Sequence, residues 1–107
     1  MKVLTLNAGD IVEELREREV EVVELAGVGR DELIEAGIED CSAMVVGDSD
    51  FSVQVPVAKD LNPGIETVMV SDDVPDYVRG SVDLVLSTEV GDPETVADAV
   101  VDRTSGD

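Results

Sequence analysis

Apolar residues along this chain fall into five short runs separated by polar or helically patterned segments. The runs are Val3-Leu4-Thr5-Leu6, Val20-Glu21-Val22-Val23, Ala43-Met44-Val45-Val46, Thr67-Val68-Met69-Val70 and Val82-Asp83-Leu84-Val85-Leu86. Near-continuous β-branched runs of this length fit strands covered on both faces, as in a parallel sheet. Helical signals fall between them. Asp10 with Glu13 predicts a capped first helix with Ile11, Val12 and Leu15 inward, ending in Arg16-Glu17-Arg18-Glu19. A second helix over about Asp31 to Ala36 turns Leu33 and Ile34 inward and stops at Gly37, a left-handed C-terminal cap. A third runs from Val55 to Leu61 and stops before Asn62-Pro63-Gly64; Pro56 either occupies its first turn or kinks it. A short turn follows near Pro75 to Val78. Asp92-Pro93 opens a last helix with Val96, Ala97, Val100 and Val101 on one face.

Strands alternating with helices predict a three-layer, doubly wound α/β domain, Rossmann-like or flavodoxin-like, with a mainly parallel five-stranded sheet in the order 2-1-3-4-5 and right-handed crossovers. The domain spans residues 1–103, and Thr104-Ser105-Gly106-Asp107 forms a fraying tail. In such a sheet ligands bind beyond the carboxyl ends of the strands, where the order reverses between strands 1 and 3. That places Asn7, Ala8 and Gly9 opposite Gly47, Asp48 and Ser49 as the candidate binding crevice, with Asp50 beside them and Ser87-Thr88 beyond strand 5.

Charge narrows what could bind there. The 107 residues hold 26 acidic and 7 basic side chains and no histidine, a formal net charge of −19, and lysine occurs only at Lys2 and Lys59. The acids are spread along the chain, the pattern of a solvated coat in a salt-rich archaeal cytoplasm, where the Debye length shrinks to about 3 Å in molar salt. An apolar fraction of 43% argues for a folded chain despite the charge. Such a surface opposes phosphate contacts, and Phe51 and Tyr77 are the only aromatic residues, so neither duplex nor single-stranded nucleic acid is the expected partner. No apolar stretch reaches the length of a membrane span, so the expectation is a cytoplasmic protein without membrane insertion.

Chemistry-bearing residues are few. Cys41 is the single cysteine; it forms no intramolecular disulfide, and with acids around it and no histidine as base it reads as a small core residue rather than a nucleophile. A Ser-His-Asp triad is excluded. Asp48 and Asp50 form a D-x-D at the end of strand 3 that in a phosphotransfer enzyme would hold Mg²⁺, but the segment after strand 1 offers Asn7-Ala8-Gly9 and no acid before Asp10. The bland alternative makes Asp50 the N-cap of the third helix. A phospho-receiver shares this sheet and size and would use Asp48 as acceptor; it also needs an acidic pair where Asn7-Ala8 stand and a lysine where Ser87-Thr88 stand. Gly27, Gly29 and Arg30 offer either an anion cradle or a flexible loop, and Glu24 reads as a surface glutamate. Tyr77 and Arg79 are candidates for an interaction surface.

Several motifs recur in order: Glu35-Ala36-Gly37-Ile38, then Ala43-Met44-Val45-Val46, Ala58-Lys59-Asp60-Leu61-Asn62-Pro63 and Val82-Asp83-Leu84-Val85. Over about residues 20 to 90 this resembles the nucleotide-binding domain of Trk-type (RCK) potassium-transport regulators. The resemblance implies a regulatory Rossmann domain that binds a nucleotide and pairs with a second copy, with Val20-Glu21-Val22-Val23 as the family's third strand and one strand-helix unit missing. That family reads GxGxxG after its first strand, where this chain has Asn7-Ala8-Gly9-Asp10-Ile11-Val12 and keeps only Gly9, with Asp10 at the helix start where a phosphate would sit. The expectation is therefore a non-enzymatic binding or regulatory module with a degenerate nucleotide site, no bound cofactor or metal, and a second copy or another protein as partner. A small Mg-dependent phosphotransfer enzyme using Asp48 and Asp50 is the alternative.

Overall fold

The computed structural model describes residues 1–25, 29–89 and 91–104. In chain order the elements are β1 (Lys2–Leu6), α1 (Gly9–Glu17), β2 (Glu21–Leu25), α2 (Arg30–Glu35), β3 (Ala43–Val46), α3 (Gln54–Leu61), β4 (Glu66–Val70), α4 (Asp76–Arg79), β5 (Leu84–Leu86) and α5 (Pro93–Thr104), with 3-10 turns at Ile38–Asp40 and Ser49–Phe51. All strand pairs are parallel and the sheet order is β2-β1-β3-β4-β5, a flavodoxin-like arrangement. The order reverses at β1, whose Leu6 lies between Leu25 of β2 and Val46 of β3.

Alternate residues of each strand serve opposite layers, which is why the runs read as continuously apolar. Val3, Ala43, Val45 and Val68 pack under α1 and α5 with Leu15, Val96 and Val100. Leu4, Leu6, Met44, Val46 and Met69 pack on the other face with Leu33, Val55, Ala58 and Val78 from α2, α3 and α4. Both clusters are aliphatic, and burial at about 25 cal/mol per Å² of apolar area drives the chain to this two-sided core.

Local signals hold where they depend on neighbours in sequence. Gly37 closes α2 with φ 85°, the left-handed cap its position calls for. Asp92 accepts a hydrogen bond from the Thr95 backbone N–H at 2.8 Å, with Pro93 as the first helical residue of α5. Pro56 is the third residue of α3, inside the first turn where its missing N–H has no intrahelical partner to lose, so it starts the helix rather than kinking it.

Four expectations change. Asp10 is not the N-cap of α1: the helix begins at Gly9, and the Ala8 carbonyl already accepts from Ile11 and Val12, so Asp10 sits in the first turn. Asp50 does not cap α3 but lies within the 3-10 turn that precedes it. Ile34 faces outward with 49% exposure, because α2 has only six residues and Leu33 alone reaches the core. The strands also shift: β2 extends to Leu25, with Val20 buried ahead of it, and β5 contracts to Leu84–Leu86. The residue ahead of β5, Asp83, turns its carboxylate to the Thr67 N–H at 2.8 Å and to Lys59 Nζ at 2.7 Å. Thr104 closes α5, and the rest of the expected tail, residues 105–107, lies outside the described residues.

Candidate functional site

Beyond the carboxyl ends of β1 and β3 the two loops touch. Asn7, the first residue after β1, adopts φ 51°, a left-handed conformation that asparagine tolerates better than most residues. That turn brings its carbonyl oxygen against Gly47, and the Gly47 N–H donates to the Leu6 carbonyl at 2.9 Å. The approach needs glycine: a Cβ at position 47 would fall on the Asn7 carbonyl oxygen and lie 3.1 Å from Ala8 Cα.

Asp48 completes the contact. Its Oδ2 accepts from the Asn7 side-chain amide at 3.0 Å, and its Oδ1 accepts from the Asp50 backbone N–H at 2.9 Å. Both carboxylate oxygens are therefore engaged. Asp48 caps the Ser49–Phe51 turn, the role the sequence assigned to Asp50 for the next helix, and Asp50 contributes a main-chain donor to it. The structure thus brings Asn7, Gly47 and Asp48 together as a closed contact. Among the described residues no three His, Cys, Asp or Glu side chains are grouped to hold a metal ion.

Open space lies to one side of this contact. A cleft of about 430 Å³ sits at the ends of β1 and β2, lined by Thr5, Asn7, Ala8, Gly9, Glu24, Leu25 and Phe51. Asn7, Ala8 and Gly9 thus belong to it, while Gly47, Asp48 and Ser49 do not. Glu24, read from sequence as an ordinary surface acid, lies on its wall and pairs with Arg16 of α1 at 3.3 Å. The signal that could have found it is its place one residue before the end of β2, where the carboxyl ends of the strands line the ligand side of the sheet.

Other candidate residues are occupied elsewhere. The Gly29 N–H donates to Gln54 Oε1 at 3.1 Å and Arg30 pairs with Asp60 at 2.8 Å, so neither is turned to an anion; Gly27 lies outside the described residues. Beyond β5, Thr88 donates its backbone N–H and hydroxyl to Asp72, which holds that carboxyl below its ordinary range. Cys41 is buried with its Sγ 3.5 Å from the Gly37 carbonyl, and burial above all pushes its thiol up. It is a core residue, as its surroundings in sequence imply. Tyr77 is 68% exposed on α4, and Arg79 pairs with Asp76.

Residues 2–100 match the model of a family of unknown function. The chain belongs to DUF7126. No curated protein matches it in sequence. Among solved structures it is similar to an orphan response regulator of H. pylori, with 15% identity and a TM-score of 0.74 over 97% of this chain and 96% of that one. An atypical orphan response regulator with a phosphorylation-independent regulatory mechanism gives the same identity and TM-score over 99% and 97%. A CheY-like protein from Pseudomonas aeruginosa gives 12% identity and a TM-score of 0.69 over 100% and 94%. At these identities the likeness shows the fold.

These findings overturn the resemblance to Trk-type (RCK) potassium-transport regulators. The Val20-Glu21-Val22-Val23 run is not a third strand after a missing unit: from Glu21 onward it belongs to β2, hydrogen-bonded directly to β1 at the sheet edge. Two of the motifs that suggested the resemblance are helix stops, and the other two are the apolar runs of β3 and β5. Gly37 is a left-handed cap, and Asn62 ends α3 by donating its side-chain amide to the Ile38 and Cys41 carbonyls, both at 3.0 Å. Such stops recur wherever a helix must end and a strand begin.

Proposed function

We propose that this chain is a regulatory module of receiver architecture that works without phosphoryl transfer and without catalysis. The observation that carries the reading is the engagement of Asp48, one oxygen on the Asn7 amide and the other on the Asp50 N–H. A phosphoryl acceptor needs a free carboxylate oxygen for attack and a cation to neutralise the charge that develops on the phosphoryl oxygens. Asn7 supplies a neutral amide where an acid would hold that cation, and Ser87-Thr88 stand where an amine would be needed after β5. The phosphorylation-independent mechanism of one structural neighbour supports the same direction. The enzyme alternative has less to support it, since among the described residues no third acid is grouped with Asp48 and Asp50 to hold a metal ion.

Regulation of this kind passes through contact, with a second copy or with another protein. The acidic coat supports a salt-rich cytoplasm, such as that of a halophilic archaeon, as the setting: every arginine and Lys59 is already in an ion pair, and those pairs engage only a minority of the 26 acids. The test is incubation of the full chain with acetyl phosphate and Mg²⁺ at matched ionic strength, read by intact mass. The expected spectrum is unchanged. A phosphoryl adduct that disappears in Asp48→Asn would overturn the proposal.

A further inference from the structure

The cleft beyond β1 and β2 has a chemistry of its own, independent of the regulatory reading of Asp48. We infer that it binds a small organic cation with an apolar body, an aryl- or alkylammonium. The strand register sets the shape: Thr5 lies opposite Glu24 and Leu6 opposite Leu25, so Glu24 and Leu25 leave β2 on opposite faces and the cleft wraps over the strand ends between them. One wall is apolar. Leu25 and half-buried Phe51 pack against the core and also line the cleft, with Ala8 beside them. Its volume of about 430 Å³ falls within the roughly 300–1,000 Å³ of small-molecule pockets.

The polar side of the cleft selects the charge. Glu24 presents a carboxylate, and its partner Arg16 is held at 3.3 Å with both side chains more than half exposed, a pair weak enough to be exchanged for a ligand cation. The buried Thr5 hydroxyl is turned to the Val23 carbonyl, so it is not a free donor for an anion. The start of α1 beside Gly9 carries a partial positive charge, but Asp10 in the first turn offsets it. Over the whole molecule a net charge of −19 concentrates cations and repels anions. A bare metal ion gains nothing from Leu25 and Phe51, whereas an ammonium with an apolar body uses both walls. Charge and apolar area together define the ligand class.

The test is an amide NMR titration of the full chain in about 1 M KCl, which screens diffuse attraction to the acidic coat. Phenethylamine is the probe. Methylamine tests charge without an apolar body, phenethyl alcohol the body without charge, and phenylacetate the opposite charge. The expected result is saturable shifts for phenethylamine at Thr5, Asn7, Gly9 and Leu25, with the alcohol weaker by at least about fivefold and no saturation by methylamine or phenylacetate. Glu24→Gln and Phe51→Leu should each weaken phenethylamine by at least about fivefold, while Tyr77→Leu, at an exposed position of α4, should leave it unchanged. Glu24 is exposed, so its variant folds and the comparison stands. Shifts scattered over the acidic surface, equal saturation by methylamine, undiminished binding to Glu24→Gln, or no saturable shift at the cleft would each overturn the inference.

Discussion

Replacing Gly47 by alanine isolates what the contact between the β1 and β3 loops contributes. Gly47 lacks the positive φ that would strain any side chain, so the backbone itself accepts alanine and the cost comes from the atoms the new Cβ meets. Those atoms are main chain: the Asn7 carbonyl oxygen, and Asn7 C and Ala8 Cα, both 3.1 Å away. None can rotate aside. The loops must part, which stretches the Gly47 N–H to Leu6 carbonyl bond of 2.9 Å and the Asn7–Asp48 bond of 3.0 Å. Two hydrogen bonds at about 1 kcal/mol each, with overpacking of about 1 kcal/mol or more, give an expected loss of about 2–4 kcal/mol. Against a total stability of about 5–15 kcal/mol that is a large share. Gly9→Ala is the matched control, since nothing lies within 4 Å of its Cβ and the residue is the first of α1. Better helix propensity there is worth up to about 1 kcal/mol of stabilisation. Urea unfolding followed by circular dichroism, with all proteins in the same concentrated KCl, measures both. A Gly47→Ala protein within about 0.5 kcal/mol of the parent, or one no less stable than Gly9→Ala, refutes the close-approach argument.

The Asp48 turn predicts an order of effects: Asp48→Ala should cost about 1–2 kcal/mol and Asp50→Ala less than about 0.5 kcal/mol in the same unfolding experiment, and the reverse order would restore Asp50 as the cap. Asp83 predicts a pH dependence. Burial pushes its carboxyl up, but hydrogen bonds from Lys59 and Thr67 outweigh burial and hold it below its ordinary value, so its contribution is present above the unfolded carboxylate pKa of about 4 and is lost as pH falls through the lower folded value. The stability gap between parent and Asp83→Asn should therefore be wide at neutral pH and narrow towards about pH 3; a constant gap would contradict this. Charge screening predicts a melting temperature that climbs steeply between about 0.1 M and 2 M KCl, and a flat profile by calorimetry would count against self-repulsion as the dominant surface term.

Strand positions and most helix ends were legible because they depend on residues close in sequence, while the sheet order followed from the regular strand-helix alternation and the few topologies it permits. The two-faced apolar runs, Gly37 and Asp92-Pro93 each state a local rule that tertiary contacts then reinforce. The caps near the crevice were not legible, because they depend on a contact between residues 41 positions apart. Nothing in Asn7-Ala8-Gly9 alone says that Asn7 turns left-handed and gives its amide to Asp48, and without that turn Asp10 looks like the cap. Asp48 and Asp50 are equally acidic in sequence, and only the geometry of the turn distinguishes acceptor from donor. Glu24 is the surface residue its sequence context implies, and its place on the cleft wall is concealed among so many other acids. Short helix stops misled the comparison with potassium-transport regulators because they encode where a helix ends and nothing about what the domain binds.

The two outer strands bear on whether copies of this chain can join edge to edge. An open sheet ends in rows of unpaired amides and carbonyls that can recruit another chain into a continuous ribbon. Here β5 offers only three residues, too short a template to grip a visiting strand, while the exposed positions of β2 are Glu21 and Glu24, which would meet their counterparts as like charges. One edge is guarded by length and the other by repulsion, and salt weakens only the second. The ionic strength that steadies the folded molecule therefore lowers the barrier to strand-to-strand aggregation along β2, and the two glutamates are the residues to preserve when this chain is concentrated in brine.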